Sequence, residues 1–271
     1  MKQHITSSLS RVFGKFASKK HLKLTQNLIN RTYVSMMGLD MSDFKSPQSY
    51  ETLNALFTRH LNTPRAFSND SSDMISPCDS LVTEAGVMNT DKALQIKGMN
   101  YSVDAFLGEN ISDEHKKRIH GGDYINFYLS PRDYHRYHVP LDMQVTKAIH
   151  IAGKLYPVNI PTLKRKVDLF IENERVVLEC VSTKGKLFYL VLVGALNVGK
   201  MEVSFEPRIQ TNVLSNGGVY TYDNLHLKKG DDFGCFQMGS TIIFLAEQGM
   251  VESDVIIGES VRFAQTIGKL L

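Results

Sequence analysis

The sequence predicts an α+β protein, with amphipathic helices at the N-terminus followed by a β-rich domain of sandwich or barrel-like form. Three observations carry this reading. Apolar residues recur at helical spacing only within roughly the first 60 positions. From about residue 75 onward the chain turns to short strand-like runs separated by turn signals. A length of 271 residues with 42% apolar content is enough to bury a sizeable core.

Taken in order, Ile5, Leu9, Val12, Phe13 and Phe16 fall on one side of a helix, and Leu24, Leu28 and Ile29 begin a second stripe. Either stripe has the ordinary alternative of burial in the core. Charge favours another destination. Residues 1–39 carry Lys2, Arg11, Lys15, Lys19, Lys20, Lys23 and Arg31 with no Asp or Glu, so the rest of the chain, 24 basic against 28 acidic residues, is net −4 although the whole is +3. A basic residue near an acidic lipid surface contributes on the order of 1 kcal/mol before screening. Nucleic acid would exploit the same charge, but apolar faces interleaved with lysine point to an anionic membrane surface and to no nucleic acid.

After S-P-Q-S, the segment Y-E-T-L-N-A-L-F-T-R-H-L repeats apolar residues at Leu53, Leu56, Phe57 and Leu61 and predicts a helix stopped by Asn62 to Pro64, the last helix expected. The domain division is therefore 1–65, a basic amphipathic helical region, and 66–271, the β-rich part. Strands are expected in L-Q-I-K-G, Y-I-N-F-Y-L-S-P, E-R-V-V-L-E-C-V-S-T-K-G, L-F-Y-L-V-L-V-G and V-Y-T-Y-D-N, with N-G-G and K-K-G-D-D between later ones. A weak echo between residues 229–239 and 257–268, each a Gly-acid turn returning to glycine, supports a sandwich.

The longest apolar run, Leu187 to Leu196, contains Gly194 and is half the length a helix needs to cross a bilayer, so no transmembrane span is expected. Polar and basic residues interrupt the first positions where a signal peptide would have a continuous apolar block, which predicts a retained N-terminus. Cys78, Cys180 and Cys235 are far apart, odd in number and without a C-x-x-C pair. That pattern suggests neither disulfide framework nor zinc knuckle and fits a reducing compartment.

Chemistry concentrates in three places. In F-Q-M-G-S-T-I-I-F-L, residues 236–245, Gly239, Ser240 and Thr241 sit at the mouth of an apolar run, where glycine weakens a strand and buried hydroxyls need partners. In F-Y-L-S-P-R-D-Y-H-R-Y-H-V-P, Pro131 and Pro140 bracket Asp133, His135 and His138 on a segment leaving a strand. Two histidines three apart lack a third ligand at a convincing spacing, so no metal is expected. In S-P-C-D-S, Asp79 occupies a turn. Asp79, His138 and Ser240 supply the parts of a nucleophilic triad: carboxylate, imidazole base and hydroxyl.

The run from Gly122 to Pro140, followed by G-K-L-Y-P-V-N, N-E-R-V, V-G-A-L-N-V-G-K-M, K-K-G-D-D-F-G-C-F and M-G-S-T, resembles the phosphatidylserine decarboxylases in order and spacing. L-N-A-L-F-T-R and L-Q-I-K-G-M-N-Y-S extend the resemblance from about residue 50 to the C-terminus, while residues 1–49 match only in being basic and amphipathic.

The resemblance implies a proenzyme that cuts itself between Gly239 and Ser240, leaving chains of 239 and 32 residues that remain associated. Ser240 would become a covalent pyruvoyl cofactor that forms a Schiff base with phosphatidylserine and accepts electrons as carbon dioxide leaves, giving phosphatidylethanolamine. His138 would take the serine proton, Asp79 would orient that histidine, and Thr241 would donate to the oxyanion or hold the cleaved ends. His135 would lie near the substrate head group, and Asn197 would shape the pocket. The implied location is the cytoplasmic face of the bacterial inner membrane, peripherally bound, with a homodimer compatible.

Two positions depart from the family pattern. Met238 precedes G-S-T where Leu or Gly is common, a cheap apolar exchange. Ser80 follows Asp79 where Gly is common, and a turn needing positive φ would strain a serine. Two rival readings use the same residues differently: a membrane-associated serine hydrolase that is not cut, and a noncatalytic β-sandwich held to membrane by its basic arm.

Overall fold

The computed structural model describes residues 14–96, 99–196, 200–213, 216–237 and 240–271. Of the first apolar stripe only Phe16 falls among these; Ile5, Leu9, Val12 and Phe13 lie outside the described residues. The first long helix, α1 (Lys23–Met37), packs Ile29, Tyr33 and Val34 against the small cluster of Ala17, Leu53 and Leu56. It buries Gln26 and Asn30 and exposes Leu24, Leu28 and Met36. The polar side turns inward because its groups are partnered there: Gln26 Nε2 donates to Asn30 Oδ1 at 2.8 Å, and Asn30 Nδ2 donates to the carbonyls of Pro47 and Tyr50, both at 2.9 Å. Gly38, at φ 64°, ends the helix in the left-handed region that glycine adopts without strain.

Helix α2 (Leu53–Phe57) is capped by Thr52, whose hydroxyl accepts from Ala55 N, and buries Leu53, Leu56 and Phe57. It stops at Thr58, short of the expected Asn62. The chain leaves the helix there, and Arg59 Nη2 reaches the carbonyls of Arg132 and Asp133.

The strands follow: β1 (Asp73–Ile75), β2 (Ser80–Val87), β3 (Lys92–Ile96), β4 (Met99–Ser102), β5 (Asp123–Leu129), β6 (Arg136–His138), β7 (Met143–Ile151), β8 (Arg175–Ser182), β9 (Leu187–Val193), β10 (Met201–Val203), β11 (Gly218–Leu227), β12 (Asp232–Phe236), β13 (Ser240–Ala246), β14 (Val251–Ser253), β15 (Ser260–Val261) and β16 (Thr266–Leu270). Eight form the main antiparallel sheet, ordered β11-β7-β8-β9-β13-β5-β2-β15. Its central strands read as unbroken apolar runs because both faces are covered. Along β13, Ile242, Phe244 and Ala246 enter one core cluster while Ile243 and Leu245 enter the other.

The first face packs against two small sheets, β10-β12-β6 and β1-β16-β14, through Tyr137, Phe233, Phe236 and Ile267. This gives the expected β-rich, α+β architecture. The second face is covered by helices absent from the sequence expectation: α3 (Val103–Leu107), α4 (Asp113–Ile119), α5 (Ile160–Leu163) and α6 (Leu169–Glu172). The helix at Leu53–Phe57 is therefore not the last. A cap signal marks both α3 and α4, since Ser102 accepts from Ala105 N and Ser112 from His115 N. These helices are too short to display a full apolar stripe.

Candidate active site

The pairing of β5 with β13 sets Ser240 opposite Leu129 and Thr241 opposite Tyr128. Alternation puts Ser240 on the face of Ile242 and Phe244, beneath the small sheet that carries β6, and Thr241 on the helix-covered face. Both hydroxyls are buried and make no hydrogen bond among the described residues. Met238 and Gly239 lie outside those residues, as does Asn197.

Beyond Leu129 the chain enters the Pro131–Tyr134 turn. Asp133 closes it, its Oδ2 accepting from Ser130 N at 2.7 Å and Ser130 Oγ at 2.8 Å, while burial raises its carboxyl above the usual range. Next, β6 pairs with β12, placing His138 opposite Asp232 and Arg136 opposite Cys235. One step further, Phe236 N donates to the His135 carbonyl at 2.9 Å. The histidine loop is thus stitched to the strand that leads into Ser240, with His135 at the Ser240 end.

The two histidines differ in what their rings can do. His135 is fully buried, and its ring lies 3.9 Å from that of Phe57. Its Nδ1 faces the Asp133 carbonyl at 2.8 Å and so carries the proton, leaving Nε2 a lone pair without a partner among the described residues. Burial pushes its pKa down to about 3, so the ring is neutral at physiological pH. His138 is satisfied at both nitrogens: Nδ1 donates to the Gly230 carbonyl at 3.0 Å, and Nε2 accepts from the Tyr134 hydroxyl at 3.0 Å. Its ring stacks on Phe263 at 3.6 Å and 14°. Burial again lowers the pKa and favours the neutral form. Gly230 presents its carbonyl from a turn at φ 88°, and a Cβ there would strike Phe67.

Asp79 lies beside this stack without touching His138. Its oxygens receive a forked pair from Arg65, at 2.5 and 3.1 Å, and Oδ1 also accepts from Phe263 N at 2.7 Å. Asp79 thus holds the backbone of the residue whose ring stacks on His138. Ser80 opens β2 without a positive φ, so serine carries no backbone strain at that position. The structure therefore brings Asp79 and His138 together through Phe263, and His135 toward Ser240 through Phe236. No hydrogen bond joins His138 to Asp79 or to Ser240 among the described residues.

Relatives share nearly the whole chain. A sequence model of phosphatidylserine decarboxylase matches residues 53–269. A phosphatidylserine decarboxylase proenzyme from Campylobacter jejuni is 43% identical over 263 residues, covering 95% of this chain and 97% of its own. The chain belongs to the phosphatidylserine decarboxylase family. Other proteins of that name are 42% identical over 267 residues in Helicobacter pylori, with 98% and 97% coverage, and 35% identical over 271 residues in Nitrosospira multiformis, with 96% and 91%.

For this member of the phosphatidylserine decarboxylase family, sequence reasoning missed the residues that hold the triad candidates: Tyr134 on His138, Arg65 on Asp79, and Phe263 between them. Tyr134 lies inside the quoted histidine motif, but tyrosine at that spacing has no signature of its own. Arg65 directly follows Asn62 to Pro64, the expected helix stop, and carried no signal of its own. Arg65 and Phe263 meet Asp79 across 14 and 184 positions, so only the fold reveals those contacts.

Proposed function

We propose that this chain is a phosphatidylserine decarboxylase that matures by cutting itself at Ser240. The observation that carries the reading is the buried, unpartnered Ser240 hydroxyl at the first residue of a central strand. A buried hydroxyl without a partner is costly, roughly 1–3 kcal/mol, and a reaction on the adjoining peptide bond gives it a use.

In maturation Ser240 Oγ attacks the Gly239 carbonyl carbon, the C–N bond breaks, and an ester replaces the amide. His138 accepts the hydroxyl proton at Nε2 after Tyr134 yields that position, and Asp79 holds the Phe263 platform beneath the ring. Elimination then releases the Gly239 carboxylate, and loss of ammonia by hydrolysis leaves residue 240 as a pyruvoyl group. Ser240 fits this role by its position at the first residue of β13. Once formed, the group supplies an electron sink for the pair left behind as carbon dioxide departs. The neutral, unpartnered Nε2 of His135 suits it to hold or move a proton near the substrate amine.

Residues 1–65 serve as the membrane-associating region and 66–271 as the catalytic domain. No helix among the described residues is long and apolar enough to cross a membrane, and the outward Leu24, Leu28 and Met36 of α1 support peripheral binding to anionic lipid.

Intact-mass measurement tests the whole reading. The native chain should yield fragments of 239 and 32 residues, the smaller beginning with a pyruvoyl group, and should convert phosphatidylserine to phosphatidylethanolamine. A chain that stays at 271 residues on long incubation refutes it. Ser240→Ala and His138→Ala should each remain uncut.

A further inference from the structure

A cavity of about 370 Å³ opens beside the histidine loop, walled by Phe44, Arg59, Arg65, Asp79, Asp133 and Tyr134. Most charges in its wall are already matched. Arg65 forks onto Asp79 and also reaches Asp43, Arg262 reaches Asp43, and Arg132 lies 4.0 Å from Asp133. Arg59 differs. It is 98% buried, being 2% exposed, and has no carboxylate in ion-pair contact among the described residues. Its Nη2 donates to the carbonyls of Arg132 and Asp133, its guanidinium lies 4.4 Å from the Phe44 ring centre, and Nε and Nη1 have no partner.

A buried cation with idle donors is expensive unless an anion completes it. Guanidinium geometry suits a two-oxygen anion, phosphate or carboxylate. The place of Arg59 narrows the choice. Its Nη2 and His135 Nδ1 donate to the same oxygen, the Asp133 carbonyl, at 3.3 and 2.8 Å. The cavity wall includes Gly38 and Asp40, just past the end of α1, the helix with the outward leucines. Tyr33 of α1 donates to the Pro131 carbonyl and joins that helix to the loop.

We propose that Arg59 binds the phosphodiester of the lipid substrate, an assignment that rests on the decarboxylase reading above. A carboxylate partner is disfavoured on chemical grounds. Its charge must vanish as carbon dioxide forms, and a guanidinium fork on it would stabilise the ground state against the reaction. The phosphodiester keeps its charge throughout, so Arg59 can hold it equally in ground and transition states. Such uniform binding acts on KM and leaves kcat alone.

Calorimetry on the full-length Ser240→Ala chain separates binding from chemistry. Glycerophosphoserine and glycerophosphoethanolamine should bind with dissociation constants within about threefold of each other, and free serine should not compete. Arg59→Gln in that background should weaken both esters at least about tenfold, as expected for a charged hydrogen-bonded contact. If Arg59→Gln does not fold, Arg59→Lys, which keeps the charge and loses the fork, makes the same comparison. Loss confined to glycerophosphoserine would reassign Arg59 to the carboxylate and overturn the proposal. Equal binding by the variant would overturn it too, as would inorganic phosphate binding as tightly as the esters.

In the cleaved enzyme Arg59→Lys should raise KM for short-chain phosphatidylserine about tenfold with kcat nearly unchanged. An Arg59 that merely orders the Asp133 carbonyl would instead lower kcat by displacing His135. Arg59-dependent ester binding, together with a Ser240-containing chain that never cuts itself, would sink the decarboxylase reading and leave the anion site standing. A chain that cuts and decarboxylates while no ester binding depends on Arg59 would do the reverse.

Discussion

The Tyr134 hydroxyl donates to His138 Nε2 at 3.0 Å, occupying the lone pair that a general base needs. Tyr134 is itself buried, and its ring lies 5.8 Å from that of His138. Under the proposed maturation, this bond restrains the base in the uncut chain. Tyr134→Phe keeps the ring and removes the restraint, which as a neutral hydrogen bond is worth ~1 kcal/mol net. Self-cleavage should accelerate up to roughly fivefold, read as the rate at which the 32-residue fragment accumulates. Slower cleavage would mean that the hydroxyl assists the base.

His135 makes acid stability legible. Its pKa is pushed down to about 3 in the folded chain, while the unfolded chain titrates near 6.5. Between those values the unfolded state binds a proton that the folded state refuses. Stability is therefore full above about pH 6.5 and falls as pH drops, by up to ~1.4 kcal/mol per pH unit from this one group. Burial lowers the His138 pKa as well and adds in the same direction. Urea unfolding of uncut Ser240→Ala protein from pH 6 to 4 should show this slope, and adding His135→Asn should flatten it by about 1 kcal/mol per unit. An unchanged slope would place the acid sensitivity elsewhere.

Much of the sheet was legible because its strands are buried on both faces, and runs such as Leu187 to Val193 carry that burial in composition alone. The candidate site was legible in its hydroxyl, carboxylate and imidazoles, Ser240, Asp79, His135 and His138. Ser240 broke an apolar run, and His135 and His138 lay between prolines. What the sequence hid is relational: Arg65 meets Asp79 across 14 positions, and Phe263 reaches it across 184. The short helices over the second face were hidden for another reason, since four to seven residues cannot display a periodicity. Helix α1 shows the limit most clearly. Its stripe of Leu24 and Leu28 was visible, but whether it faced core or solvent depended on Asn30 finding the Pro47 and Tyr50 carbonyls.

The fork between Arg65 and Asp79 should be a strong coupling. Both side chains are largely buried, at 14% and 17% exposure, so removing one partner strands the other's charge. Arg65→Met alone should cost ~3 kcal/mol, and Asp79→Leu alone a similar amount. The double variant should recover ~1–3 kcal/mol relative to the sum. Because Asp79 anchors Phe263 under His138, Arg65→Met should also slow self-cleavage, in proportion to the loss of the stack. Additive stabilities in the double-variant cycle would mean that the pair is not coupled.

The outward face of α1 leads to the last expectation. Leu24 and Leu28 are 85% and 66% exposed, while the helix is held to the body through Asn30. Replacing both leucines by serine therefore removes little from the folded chain, and the melting temperature should stay within about 2 °C. On a membrane the same leucines enter the acyl boundary, and each contributes ~1.5–3 kcal/mol when fully buried. Losing two should weaken partition onto anionic vesicles by about a hundredfold or more, since ~1.4 kcal/mol is a factor of ten. Vesicle sedimentation at constant salt measures it. Added salt should weaken both proteins alike, because the basic residues remain. Undiminished sedimentation of the double-serine chain would move the lipid contact away from α1.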